Sequence, residues 1–155
     1  MSLVRKLLIP ILIILSLLSL WLSYHASSPK TVTNSRQCQL DDELNCVFNL
    51  DDSQQVIVKF AANVQVEEQN QVNIVVPQGY NLVRAWVQGV NMYMGQTALM
   101  VEKVSPAAQG NAYLLSFFLG SCSEAHMRWQ LVIELQNDAG EDVDRLFVNF
   151  ATILE

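Results

Sequence analysis

The sequence predicts an all-β domain, an antiparallel sandwich, attached to a single N-terminal transmembrane helix. Residues 7–24 form an uncharged, largely apolar stretch of 18 residues that follows Arg5 and Lys6. Beyond residue 37 the hydrophobic residues recur with a period close to two, which is typical of strands with one buried face. Turn-forming clusters separate these runs, and no long amphipathic helical pattern lies among them.

The apolar stretch has the length of a membrane anchor. A helix over residues 7–24 is about 27 Å long, close to the hydrocarbon thickness of a bilayer. Two cations precede the span and none follows it before Lys30, so we expect residues 1–6 to stay in the cytoplasm. A cleaved signal peptide is the alternative, although Tyr24 is too large for the third position before a cut near Ala26.

The rest of the chain divides into a linker and one domain. Residues 25–37 are polar and unpatterned, which indicates a short tether between the membrane and the domain. Residues 38–155 are enough for one domain and no more. This organisation predicts a single-pass protein whose C-terminal domain lies outside the cytoplasm.

Charge is distributed unevenly along the chain. Two of the nine lysine and arginine residues precede the span, whereas all 15 acidic residues follow it. The exported part therefore has 7 basic and 15 acidic residues, a net charge of −8. Such a surface repels nucleic acid and anionic lipid headgroups, so we expect no nucleic-acid partner.

Eight apolar runs predict the strands of the domain, at residues 46–50, 56–60, 72–76, 82–90, 98–104, 113–119, 129–135 and 146–153. The residues Asn-Asp-Ala-Gly at 137–140 indicate a hairpin between the last two. The odd positions of residues 127–131 are expected to face the core, and the unbroken apolar run at 146–148 indicates a central strand. Strands of this number and spacing favour an immunoglobulin-like or cupredoxin-like sandwich.

Three cysteines are an odd number for an exported domain. Cys38 and Cys46 are separated by seven residues that can turn the chain back, so a disulfide between them is the favoured pairing. A bridge closing so small a loop contributes about 2–3 kcal/mol. Cys122 then remains a thiol, either buried as a small hydrophobe or bound to a ligand. Pairing of Cys122 with Cys38 or with Cys46 stays open.

Sulfur-bearing side chains are concentrated in two expected loops, one after the fourth predicted strand and one before the seventh. Loops at the same end of a sandwich can meet, so their sulfur atoms could converge on one ion. Thioethers and a thiolate are soft donors that favour Cu(I), and a neutral imidazole is a further ligand for copper. Each short pattern alone also fits core filling or a solvated histidine. The candidate metal ligands are Met92, Met94, Cys122, Met127 and His126.

Other chemistries are disfavoured. A blue-copper centre needs two imidazoles beside the thiolate, and a catalytic zinc site also needs more nitrogen ligands than this domain offers. The second histidine, His25, lies in the linker. No histidine–carboxylate pairing recommends Ser121 or Ser123 as a nucleophile, and the paired acids are typical of solvated turns. We therefore expect no enzymatic activity.

Three short motifs resemble a group of proteobacterial, membrane-anchored periplasmic proteins. They are Cys-x7-Cys-x-Phe from Cys38, Met-x-Met-Gly from Met92 and Cys-x4-Met-x-Trp from Cys122. The layout of one span and one small sandwich is also similar to oxidase-assembly proteins of the FixH and YtkA-like type. The resemblance implies a location in the bacterial inner membrane and copper handling for oxidase maturation. Its partners would be a membrane oxidase or a copper-delivery protein. The positions matching its motifs are Met92, Met94, Cys122 and Met127; His126 is not among them.

Two functions follow from these observations. The first is a membrane-anchored accessory protein that binds Cu(I) and assists assembly of cytochrome oxidase or another copper protein. The second is a metal-free interaction module whose edges or loops dock onto a membrane complex. In the second, the methionines fill the core or an interface, and Cys122 is inert.

Overall fold

The computed structural model describes residues 36–51, 53–140 and 143–153, which belong to the compact unit Asn34–Glu155. The span predicted at residues 7–24, the segment 1–6 and most of the linker lie outside these residues. Within the described ranges, no helix has the length and apolar character needed to cross a bilayer.

Ten strands account for the regular structure of the described residues. They are β1 (Gln37–Gln39), β2 (Asn45–Asn49), β3 (Gln55–Phe60), β4 (Gln69–Pro77), β5 (Tyr80–Gly89), β6 (Gln96–Ala98), β7 (Met100–Ala107), β8 (Gly110–Phe118), β9 (His126–Asn137) and β10 (Val143–Ile153). Strand β1 begins at Gln37, the last residue assigned to the linker from the sequence.

The strands form two five-stranded sheets packed as a sandwich, which confirms the predicted all-β class. Sheet A has the order β1-β10-β9-β5-β6 and sheet B the order β2-β3-β4-β8-β7. Neighbouring strands are antiparallel except for β1, which runs parallel to β10. The unbroken apolar run at residues 146–148 predicts a central strand covered on both sides, and this is confirmed in part. Strand β10 lies between β1 and β9, but Phe147 on its outer face is only half-buried.

One predicted strand is wrong. The run at residues 98–104 is not continuous, because the chain leaves sheet A after Ala98 and enters sheet B at Met100. Leu99 marks the crossing: its side chain is buried, and its backbone N–H donates to the Ala85 carbonyl at 2.9 Å. The local sequence Thr-Ala-Leu-Met-Val contains no glycine or proline, so nothing in it signals the break.

The core between the sheets follows the period-two pattern. Along β9, Met127, Trp129 and Leu131 are buried, whereas Arg128 is exposed, as the alternation predicts. The hairpin at residues 137–140 is also confirmed: the Gly140 N–H donates to the Asn137 carbonyl at 2.9 Å. Gly140 has a φ of +75°, a conformation that favours glycine.

The disulfide between Cys38 and Cys46 is confirmed, with 6.1 Å between the two Cα atoms. Cys38 lies in β1, an edge strand of sheet A, and Cys46 lies in β2, an edge strand of sheet B. The bridge therefore joins the two sheets along one side of the sandwich. Cys122 is a free, half-buried thiol.

The connections between strands are gathered at two ends of the sandwich. At one end the turns after β4, β7 and β9 contact one another, since the Gln78 N–H donates to Gln109 and the Asp138 N–H to Gly79. At the other end lie the connections β3–β4, β5–β6 and β8–β9. We call this second end the loop end, because it carries the longer connections.

A buried carboxylate lies on the outer face of sheet A. Glu134 in β9 has only 5% of its side chain exposed and accepts hydrogen bonds from Arg84 Nε at 2.5 Å and Arg145 Nε at 2.6 Å. The three residues are cross-strand neighbours on β5, β9 and β10. The hydrogen bond from Arg84 is the main cause of a lowered pKa for Glu134; burial opposes it, and Arg145 reinforces it.

We expect Glu134→Gln to destabilise the domain at neutral pH and to become less harmful as the pH falls. The folded-state pKa of Glu134 lies below its ordinary value of 4.5, so the ionised group stabilises the fold above that pH. This stabilisation is lost as the pH falls through the folded-state value. Urea unfolding of the wild type and variant in detergent, from pH 7 to pH 3, measures the difference.

The control is Glu68→Gln, which removes an exposed acid in the β3–β4 connection. It should change the free energy of unfolding by no more than about 0.5 kcal/mol. A gap between wild type and Glu134→Gln that stays constant across the pH range would contradict the assigned role of Glu134.

Candidate functional site

Two loops meet at the loop end and bring together two of the sulfur atoms singled out in the sequence. Met92 lies in the β5–β6 connection and Cys122 in the β8–β9 connection. The Cys122 thiol donates to the Met92 thioether, and the Sγ–Sδ distance is 3.1 Å. Met92 is 37% exposed and Cys122 is half-buried, so the pair is open to solvent on one side.

Asn91 fixes the loop that carries Met92. Its amide nitrogen donates to the His126 carbonyl at 3.0 Å, and its amide oxygen accepts from the Arg128 N–H at 2.8 Å. The Val90 N–H also donates to the Arg128 carbonyl, at 2.8 Å. These bonds extend the pairing of β5 with β9 beyond the strand end, and so hold Met92 beside the start of β9.

Glu67 fixes the loop that carries Cys122. Its backbone N–H donates to the Leu119 carbonyl at 2.7 Å, and its carboxylate accepts from the Ser121 hydroxyl at 2.6 Å. Glu67 has a φ of +60°, a conformation that residues other than glycine rarely adopt. The β3–β4 connection therefore supports the residues just before Cys122.

Met127 lies beneath the Met92 loop. Its side chain is 2% exposed and belongs to the core. A Cβ added at Gly89 would lie 2.5 Å from the Met127 Cε and 2.2 Å from the Met92 carbonyl oxygen. Because Gly89 has no side chain, the Met127 methyl group and the Met92 backbone can both pack against it.

The other two candidate ligands occupy different surroundings. Met94 is half-buried and packs against the core, whereas Met92 is exposed. Two residues two positions apart would share a face in a strand, but residues 91–95 lie outside the strands, so this rule does not apply to them. His126 begins β9 and is exposed; the contact that ties it to the Met92 loop comes from its backbone carbonyl. The structure thus brings Met92 and Cys122 into contact. Met127 belongs to the core under the Met92 backbone, Met94 packs against the core, and His126 contacts the Met92 loop through its backbone.

The arrangement offers two soft donors on the surface and a third in the layer beneath. Such donors favour Cu(I) over hard cations. Among residues 36–51, 53–140 and 143–153, no three histidine, cysteine or acidic side chains are grouped to hold a metal ion. No family model, curated protein or solved structure matches the chain.

Sequence reasoning missed the residues that position the two loops. Asn91 follows a strand directly and precedes Met92, a place where an asparagine side chain commonly bonds to backbone, so its position was a usable signal. Glu67 and Glu68 are one of the acid pairs whose sequence pattern indicates a solvated turn, but the Glu67 carboxylate accepts from Ser121, 54 residues away. Gly89 lies inside the strand predicted at residues 82–90, and a glycine within a strand often marks a place where another backbone segment comes close.

Proposed function

We propose that the protein is an accessory protein anchored in the bacterial inner membrane, whose periplasmic domain binds Cu(I) at Cys122 and Met92. Its role is to assist assembly of cytochrome oxidase or another copper protein, with a membrane oxidase or a copper-delivery protein as partner. The observation that carries the proposal is the 3.1 Å contact between the Cys122 and Met92 sulfur atoms. No catalytic role is proposed.

The distance between the sulfur atoms suits one bridging ion. Metal–sulfur bonds of about 2.3 Å at a tetrahedral angle place two sulfur atoms about 3.8 Å apart. The contact between Cys122 and Met92 therefore has to open by less than an ångström, and both residues lie in loops. Met127, Met94 and His126 are the remaining candidate ligands of the proposal, and the buried Met127 would have to move toward the surface to bind.

The anchor and the finer fold class belong to the same proposal. The charge pattern around residues 7–24 supports a retained transmembrane helix with residues 1–6 in the cytoplasm. A tether raises the effective concentration of a bound ion near a membrane-embedded acceptor. Two five-stranded, mostly antiparallel sheets support an immunoglobulin-like or cupredoxin-like sandwich.

Anaerobic Cu(I) titration of the full chain in detergent, against a chromophoric chelator, tests the copper site. Ascorbate should be the reductant, because the Cys38–Cys46 disulfide must stay intact. We expect one Cu(I) per chain, with affinity at least about 100-fold lower in Cys122→Ser and about 10-fold lower in Met92→Ala. A variant carrying Met92→Ala, Met94→Ala and Met127→Ala together should lose more than Met92→Ala alone.

Met100→Ala is the matched control, since Met100 is an exposed methionine on the edge strand β7. It should leave the Cu(I) affinity within about twofold of the wild type. Equal competition by the wild type and Cys122→Ser would contradict the copper site.

A second candidate function is a metal-free interaction module that docks onto a membrane complex. The edge strand β7 favours it, because Met100, Val101 and Val104 are exposed there beside Phe118 of β8. The short strand β6 leaves this side of the sandwich open. Absence of Cu(I) binding in the titration would favour this function over the first.

A further inference from the structure

The outer face of sheet A is basic, in contrast to the acidic chain as a whole. Arg84, Arg128 and Arg145 project from this face, and the one acid among its described residues is the buried Glu134. The full chain has a net charge of −6, so the acids are concentrated elsewhere. We call the described outward-facing residues of sheet A the amide face, after the row of side chains described next.

A row of amide side chains crosses all five strands of sheet A. Gln96 donates to Gln88 at 3.2 Å, Gln88 to Gln130 at 3.2 Å, and Gln130 to Asn149 at 3.0 Å. Gln39 of β1 completes the row by donating to the Asn149 backbone carbonyl at 3.1 Å. Each NH₂ group has two hydrogens, so donors remain for a ligand after these bonds are made.

An apolar row lies beside the amide row. Trp86 and Phe147 are half-buried on either side of Val132, which is only 1% exposed although it faces outward. The Trp86 Nε1–H donates to Gln88 at 3.0 Å, and the Arg84 guanidinium lies 4.8 Å from the Trp86 ring centroid. The Trp86 side chain is thus held in place by the amide row and by the Arg84–Glu134 pair.

A cavity of about 280 Å³ opens on the same face, where β1 ends beside β10. Its lining includes Gln39, Arg128, Gln130 and Asn149. The amide row and the Arg128 side chain therefore meet at this cavity, which has room for one or two small rings. The site is distinct from the sulfur pair, which involves neither these side chains nor this cavity.

We propose that the amide face binds an acidic oligosaccharide. Fixed amides pair with hydroxyl groups, arginines pair with carboxylates, and the apolar row covers the C–H face of a sugar ring. Neighbouring strands are about 4.8 Å apart, so the amides form a regularly spaced array suited to a repeating chain. The local positive charge selects an anionic ligand, since the rest of the domain repels one.

Other polyanions fit the amide face less well. Nucleic acid would need more phosphate contacts than three arginines supply, since two of them already pair with Glu134. An acidic peptide would pair its carboxylates and backbone carbonyls with the same donors, so hexaglutamate is the competing ligand in the test. A second copy of the chain would offer its acidic surface but not a hydroxyl-rich strand.

Isothermal titration calorimetry of the full chain in detergent with a uronic-acid hexasaccharide tests the proposal. The detergent should carry a polyoxyethylene headgroup, because sugar headgroups would compete for the face. We expect saturable binding that weakens with added salt, and at least a fivefold loss of affinity in Arg128→Gln and in Asn149→Ala. A neutral hexasaccharide should bind at least tenfold more weakly than the acidic one.

Lys103→Gln is the matched control, because it removes one positive charge from β7 of sheet B. It should change the affinity by less than twofold. Absence of saturable binding, equal losses in Lys103→Gln and Arg128→Gln, or tighter binding of hexaglutamate or an oligonucleotide would each overturn the proposal. Since neither Cu(I) nor Cys122 enters this experiment, its failure is separable from failure of the copper site.

Discussion

Replacing Phe60 with alanine is expected to lower the free energy of unfolding by about 3–5 kcal/mol, a large share of the total for a small domain. Phe60 is 1% exposed, and its ring centroid lies 5.6 Å from that of Phe150 and 6.3 Å from that of Phe117. Phe60 and Phe117 belong to sheet B and Phe150 to sheet A, so this cluster joins the sheets. Urea unfolding followed by tryptophan fluorescence measures the loss.

Tyr93→Ala is the control for the Phe60 variant, because Tyr93 is 92% exposed in the β5–β6 connection. It should change the free energy of unfolding by no more than about 0.5 kcal/mol. A Phe60→Ala protein as stable as Tyr93→Ala would mean that the two sheets do not depend on this aromatic cluster.

The second large effect is expected from Gly89→Ala, which adds one methyl group below the Met92 loop. The new Cβ would lie 2.2 Å from the Met92 carbonyl oxygen and 2.5 Å from Met127 Cε, so the loop has to move. Overpacking of this kind costs about 1–3 kcal/mol of stability. Because the displaced loop carries Met92 away from Cys122, we expect Cu(I) affinity to fall about 10-fold.

Gly120→Ala separates the site effect of Gly89→Ala from a general effect of adding a methyl group. Gly120 lies two residues before Cys122, and nothing is within 4 Å of the Cβ it would gain. Chelator competition should therefore give the wild-type Cu(I) affinity for Gly120→Ala. Equal affinities for the wild type and Gly89→Ala would show that the Met92 position does not determine binding.

Most of the fold could be predicted because the domain follows strand periodicity closely. The alternation at residues 127–131 and the hairpin at 137–140 are local signals, and both are confirmed. The break at Leu99 could not be predicted, since the switch between sheets depends on tertiary structure: Leu99 is buried in the core, and its N–H donates to the Ala85 carbonyl of another strand. Strand β1 was also missed as a strand, because its three residues have no pattern of their own.

The candidate site was only partly predictable. Two methionines after one strand and a cysteine before another indicated that sulfur atoms could meet, and Met92 and Cys122 do lie in contact. The alternation at residues 127–131 places Met127 on the core face, and its side chain is buried there. Residue type alone could not decide between core filling and metal binding for Met127, because methionine serves in both roles. The hydrogen bond between Ser121 and Glu67 depends on the tertiary fold and leaves no local pattern.

The parallel pairing of β1 with β10 has a mechanical consequence. A pulling force applied at Arg36 along β1 acts parallel to β10. The hydrogen bonds between the two strands then resist the force together, in shear. Two residues after Arg36, the disulfide from Cys38 to Cys46 transmits part of the load to the other sheet. A force applied at Arg36 therefore acts on both sheets at once, instead of separating the edge strand β1 from β10 one hydrogen bond at a time.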